Sequence, residues 1–324
     1  MTLIMFSLGS AVVYGAADFF GGAASRRASV RSVLLVSLPI GLIVLILAAL
    51  VTGNTLSSHD AIWGLTAGLA GGTGLIVFYG ALARGPMSVV APVAALVSAL
   101  LPVGAGLLRG ERPGPSVLTG VAICLAAICL VSLEEPRSGG GQARPARRAR
   151  RARPARPARP GPGAPARSRS ARGPMLAALS GVCFGVFFIL LREAGRYGGL
   201  WALVVSRAAG FAVVIAVGLA GWAVARWSRA RPERPAAQVP ARLIPTDPAA
   251  LLIAILAGTL DSLANVLYLF ATRAGMLSLA AVLTSLYPAI TVLLARVIYS
   301  ERLRMVQRLG VVLALLGVAL VTAG

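Results

Sequence analysis

Asp261, Asn265, Tyr268 and Thr272 recur at i, i+4, i+7 and i+11, the spacing that sets side chains on one face of an α-helix. They sit in GTLDSLANVLYLFATRAG, residues 258–275, within an apolar run long enough to cross a bilayer. An ionisable group at the midplane costs about 2.5–3.5 kcal/mol on insertion scales, so Asp261 is expected to face protein or a water-filled cavity. Two kinds of chemistry are open to it: an ion pair or hydrogen bond that orders the bundle, or binding of a substrate or proton on a pathway. Arg207 is the other ionisable residue well inside an apolar run and is the natural partner. Pairing keeps both groups charged, whereas only an unpaired carboxyl in an apolar cavity suits proton exchange.

Asp18 is the second acidic candidate, with Tyr14 one turn before it and Gly15, Gly21 and Gly22 nearby. It either exchanges protons or is solvated at the interface. Pro92, Pro102 and Pro288 lie inside two further apolar runs, where each frees a backbone carbonyl and permits a kink. A kink beside Thr284, Ser285, Tyr287 and Thr291 presents hydrogen-bonding groups to a central cavity; ordinary bending is the alternative. The glycines of GLTAGLAGGTG, residues 64–74, suit close helix approach, with substrate contact as the rival role.

Other chemistries lack their parts. His59 is the single histidine and is expected in a short loop, which leaves no metal cluster and no Ser-His-Asp site. Cys124, Cys129 and Cys183 lie within apolar blocks and read as packing residues. No GxxxxGK[ST] stretch occurs. An enzyme, a cofactor and a metal are therefore not expected.

The elements that position these residues are membrane spans. Hydrophobic residues make up 57% of the chain and charged ones 13%, and the apolar residues gather in blocks. A transmembrane helix needs about 20 of them at ~1.5 Å rise each. Ten helices are expected near 3–24, 33–51, 61–81, 89–108, 115–133, 175–191, 200–225, 249–271, 277–298 and 307–323, an all-α polytopic membrane protein. Asp247 followed by Pro248 reads as an N-cap and first-turn proline, and Pro115 and Pro174 stand at similar starts. The first block lacks a basic leader and carries Asp18 late in the span, so it reads as a retained helix and not as a signal peptide.

The net charge of +21 is concentrated, not spread over a surface. Residues 134–173 are dominated by Arg, Pro, Ala and Gly and are expected to be a disordered linker. It separates a first unit, 1–133, from a second, 174–324. The two align with each other: an offset of 190 matches Glu111 with Glu301, Arg112 with Arg302, Gly120 with Gly310 and Ser88 with Ser278. One residue of slippage sets Tyr79 opposite Tyr268 and Arg84 opposite Arg273. Glu111 and Glu301 sit at helix junctions and read as structural or gating groups. Five helices per unit make the second copy enter the membrane from the opposite side, and such inverted repeats are a device for alternating access.

With these features the chain resembles the drug/metabolite transporter superfamily, specifically proteins with two EamA-type repeats. The resemblance rests on five plus five helices, the Glu-Arg pairs after the fourth helix of each unit, the Gly-rich fifth helices, YPAITVLLARVIYSER and Arg207. The first helix, YGAADFFGGAASRRAS, is similar to a bacterial branch. The first unit departs from the pattern, with Leu38 where Arg207 would be and Ser98 where Pro288 would be. The resemblance implies movement of small metabolites, amino acids or drugs across a bacterial cytoplasmic membrane, often outward, without ATP hydrolysis. Protons are a possible coupling ion, and an oligomer is not indicated.

Charge gives the orientation. Arg26, Arg27, Arg31, the linker, the Arg226–Arg242 cluster and Arg302–Arg308 share one side, which the positive-inside rule makes cytoplasmic, with both termini outside. The resemblance implies cytoplasmic termini, so the two expectations conflict. A rival functional class is a membrane scaffold whose Arg-rich segment binds anionic lipid or nucleic acid.

Overall fold

The computed structural model describes residues 1–53, 55–82, 87–132, 172–195, 199–229, 245, 247–299 and 305–323, and every regular element among them is helical. In order they are α1 (Thr2–Ser25), α2 (Val30–Val51), α3 (Ser58–Leu82), α4 (Met87–Leu108), α5 (Pro115–Ser132), α6 (Arg172–Ala194), α7 (Trp201–Arg229), α8 (Pro248–Ala274), α9 (Leu277–Thr284), α10 (Tyr287–Tyr299) and α11 (Met305–Ala323). Eight stretches are long and apolar enough to cross a membrane, one of them running from α9 through α10. Shorter apolar stretches lie in α4 and α5. Exposed Ile43, Leu47, Leu252 and Leu315 give the bundle an apolar exterior suited to lipid.

The ends follow local chemistry. The Asp247 carboxylate accepts from the Ala249 N–H at 3.0 Å with Pro248 in the first turn, as its sequence signal implies. At α3 the structure corrects the sequence reading: His59 is in the first helical turn, not a loop, with its ring 6.0 Å from Trp63. The reason is a capping pair. Ser57 Oγ accepts from the Asp60 N–H at 3.0 Å while Asp60 Oδ2 accepts from the Ser57 N–H at 3.2 Å, so the helix begins earlier. Helix α6 begins at Arg172, inside the segment assigned to the linker; residues 133–171 lie outside the described residues.

The expected ninth helix is two helices. Pro288 has no N–H to give the Thr284 carbonyl, and the chain steps through Ser285 and Leu286 with a short-range bond from the Leu286 N–H to Leu283 O at 3.3 Å. The Thr284 hydroxyl turns to Ser7 O at 3.4 Å. By contrast α4 continues through Pro92 and Pro102 as one helix.

The two halves interleave. Helix α1 packs on α8 and α6 packs on α3; α2 meets both α7 and α8; α5 lies against α11. Close approach depends on missing side chains. A Cβ at Gly68 would collide with the Ser206 carbonyl of α7, and one at Gly64 would come within 2.5 Å of Ala202 O, so the glycines of 64–74 serve packing. One end of the bundle brings Arg27 and Asp247 together. The other gathers Leu3, Asp60, Glu111, Gly199, Gly275 and Leu277.

Candidate functional site

Arg207 on α7 and Asp261, midway along α8, form an ion pair, Arg207 Nη2 to Asp261 Oδ2. The guanidinium also lies 3.5 Å from Ser262 Oγ, and that hydroxyl donates to Gly41 O of α2 at 3.0 Å. Helices α2, α7 and α8 thus meet at one polar knot. They do so because Gly258, one turn before Ser262, has no side chain to hold off the Ser37 backbone. The Asp261 side chain remains 36% accessible and Arg207 16%, so the pair borders open space.

Asp18 of α1 is exposed in the same region and interacts electrostatically with Asp261 and Tyr287. Among the described residues it has no ion-pair partner. Tyr14, one turn away, has its ring 6.1 Å from Tyr287 and 6.5 Å from Phe188. Gly15 lets α10 come close: a Cβ there would sit 2.7 Å from Tyr287 O, and Thr291 Oγ1 donates to Gly15 O at 3.0 Å. Two carboxylates, one guanidinium and three aromatic rings are thus gathered in one region.

The rest of the polar stripe on α8 has other partners. Asn265 donates to Asp261 O at 2.7 Å, Thr272 donates to Leu269 O at 2.9 Å, and both are buried. Tyr268 is fully buried with its ring 4.7 Å from Phe188. Ser285 is buried at the break between α9 and α10, and Pro102 is buried within α4. Glu301 lies outside the described residues, as do the side chains of Tyr79 and Pro92. Ser262, Gly41 and Phe188 were not singled out from sequence as contributors. Ser262 adjoins Asp261 in the chain, but only the fold shows which hydroxyl meets Arg207.

A second polar cluster closes one end of the bundle. Gly110 at φ +88° lets α4 end in a left-handed turn, with the Glu111 N–H bonded to Gly106 O at 3.1 Å. The turn delivers Glu111 to the start of α9. Its carboxylate accepts from Leu277 N–H at 2.6 Å, Ser278 N–H at 3.1 Å, Ser278 Oγ at 2.6 Å and Arg192 Nη1 at 3.0 Å. Burial pushes this carboxyl up, but the hydrogen bonds from Ser278 and Leu277 and the charge of Arg192 outweigh it and hold it below its ordinary range. Arg109 pairs with Glu193 alongside. Arg273, at the end of α8, donates to Gly195 O at 2.8 Å.

Helices long enough for a bilayer and an apolar exterior define a multi-pass membrane protein. No group of three or more metal-ligating side chains occurs among the described residues. The profile of the EamA-like transporter family matches residues 1–133 and 171–323. The chain belongs to that family, within the drug/metabolite transporter superfamily, whose members are transporters and not enzymes. A solved structure, named only "Crystal structure of protein", is 18% identical with a TM-score of 0.69 over 99% of this chain and 96% of that one. At that identity it shares the fold. No curated protein matches the chain.

Proposed function

We propose that this protein is a secondary transporter moving a small metabolite, amino acid or drug-like molecule by alternating access between two inverted five-helix repeats. The region of Asp18, Arg207 and Asp261 is its substrate and ion site, and the direction is export across a bacterial cytoplasmic membrane. The exchange of packing partners supports the repeat: α1 rests on the third helix of the other half, and α6, its counterpart, rests on α3.

The Arg207–Asp261 pair carries the assignment of roles. Asp261 already has the Arg207 guanidinium as its partner, which gives the pair to substrate orientation and leaves Asp18, with no ion-pair partner among the described residues, as the exchanging group. In vesicles with and without a pH gradient, Asp18→Asn is expected to remove the pH dependence of flux. Asp261→Asn is expected to keep that dependence and raise KM. Full, pH-dependent flux by Asp18→Asn would sink the proton assignment.

A further inference from the structure

The Glu111 cluster joins the halves more tightly than a helix cap requires. Ordinary caps come from residues next to the helix they serve, yet α9 has Met276 at its N-cap and no side-chain cap of its own. Its first N–H groups rely on Glu111, 166 residues away in sequence. Glu111 is tied in turn to Arg192 at the end of α6, where the neighbouring Glu193 holds Arg109 of the same α4–α5 turn. Two opposed charge pairs therefore clamp the end of α4 to the end of α6, and one carboxylate extends the clamp to α9. Arg273 ties α8 to the chain just after α6.

The opposite end is held differently. Its ion pair, Arg27 to Asp247, spans 3.6 Å with side chains 55% and 42% exposed, against 22% and 9% for Arg192 and Glu111. Gly21 and Gly22 have open space where a Cβ would stand, and Asp18 one turn away is exposed. Below the Glu111 cluster, Thr272 and Tyr268 are buried. The Glu111 end is thus the more closely packed of the two, and the Arg27 end the more exposed.

We propose that the Glu111 cluster is the latch of the more closely packed end: access from this side requires the carboxylate to leave the start of α9. This rests on the transporter reading, but its test needs no transported substrate. In a background with Cys124, Cys129 and Cys183 replaced by alanine, single cysteines are placed at Thr272, beneath the latch, and at Gly22, in the more exposed end. Their rates of labelling by a membrane-impermeant maleimide are measured on the full-length protein.

Glu111→Gln and Glu111→Ala are expected to speed labelling at position 272 by about tenfold or more, since several charge-assisted hydrogen bonds are lost. A latch also predicts slower labelling at position 22, because opening one end of an alternating pathway closes the other. Faster labelling at 272 with no change at 22 makes Glu111 a local cap and overturns the latch. Unchanged labelling at both positions, in variants that elute and melt as the parent does, overturns it as well. Failure of the transporter reading shows separately, as absence of flux in the unmodified protein.

Discussion

At the scale of single residues the decisive fact is which charges are paired. Arg207 and Asp261 share a partly buried pair, and removing one member of such a pair leaves an uncompensated charge, whereas removing both does not. Arg207→Leu is therefore expected to destabilise the protein by about 1–3 kcal/mol, less than a fully buried pair would because Asp261 is partly accessible. Arg207→Leu with Asp261→Leu is expected to recover most of that loss; thermal unfolding in detergent closes the cycle. Glu111 gives a pH prediction. Its carboxyl is held below the ordinary value of 4.5, so its stabilisation is present above that value and is lost as pH falls through the depressed one. The groups around it are Arg192, the Arg109–Glu193 pair, Tyr268 and Arg273. The stability advantage of the parent over Glu111→Gln should hold from neutral pH to about 5 and shrink only in stronger acid, as read by unfolding midpoints across pH.

Elements add what single residues lack, because a helix presents its groups only where neighbours allow close approach. Along α3, Gly64, Gly68 and Gly72 meet Ala202, Ser206 and Gly210 of α7, the helix that carries Arg207. Gly68→Leu is expected to cost about 1–3 kcal/mol by overpacking. It should also lower flux through displacement of Arg207, read as a reduced melting temperature together with a raised KM. The ninth span shows how far periodicity reaches. Its apolar pattern runs unbroken from 277 to 298 and Pro288 signals the break, but the groups that receive the ends of α9, Glu111 at its start and Ser7 O at Thr284, come from elsewhere in the fold. Neither partner is near in sequence. Likewise the i, i+4, i+7, i+11 stripe of α8 is a real face of that helix. Its members divide into accessible Asp261 and buried Asn265, Tyr268 and Thr272, the Tyr268 ring being packed on Phe188 of α6.

For the whole molecule, the prediction concerns the Arg-rich segment. Deleting residues 137–172 should leave flux intact if the two halves carry the pathway, whereas a scaffold would show no flux in the parent and lose binding to anionic lipid or nucleic acid on deletion. A reporter fused after Gly324 assigns the side of the C-terminus and decides between the positive-inside rule and the family's usual orientation. The sequence by itself determined that this is a helical membrane protein, where its spans begin and end to within a few residues, and that Asp261 and Arg207 are candidates for each other. These follow from hydrophobicity, helical period and the penalty on charge in lipid, all of which act locally or through composition. Tertiary structure alone decided that Asp261 is paired while Asp18 has no ion-pair partner among the described residues, that Ser262 and Gly41 complete the knot, and that Glu111 caps a helix in the other half. Each of those depends on which backbone groups approach across helices, and that is set by small side chains many positions away in the chain.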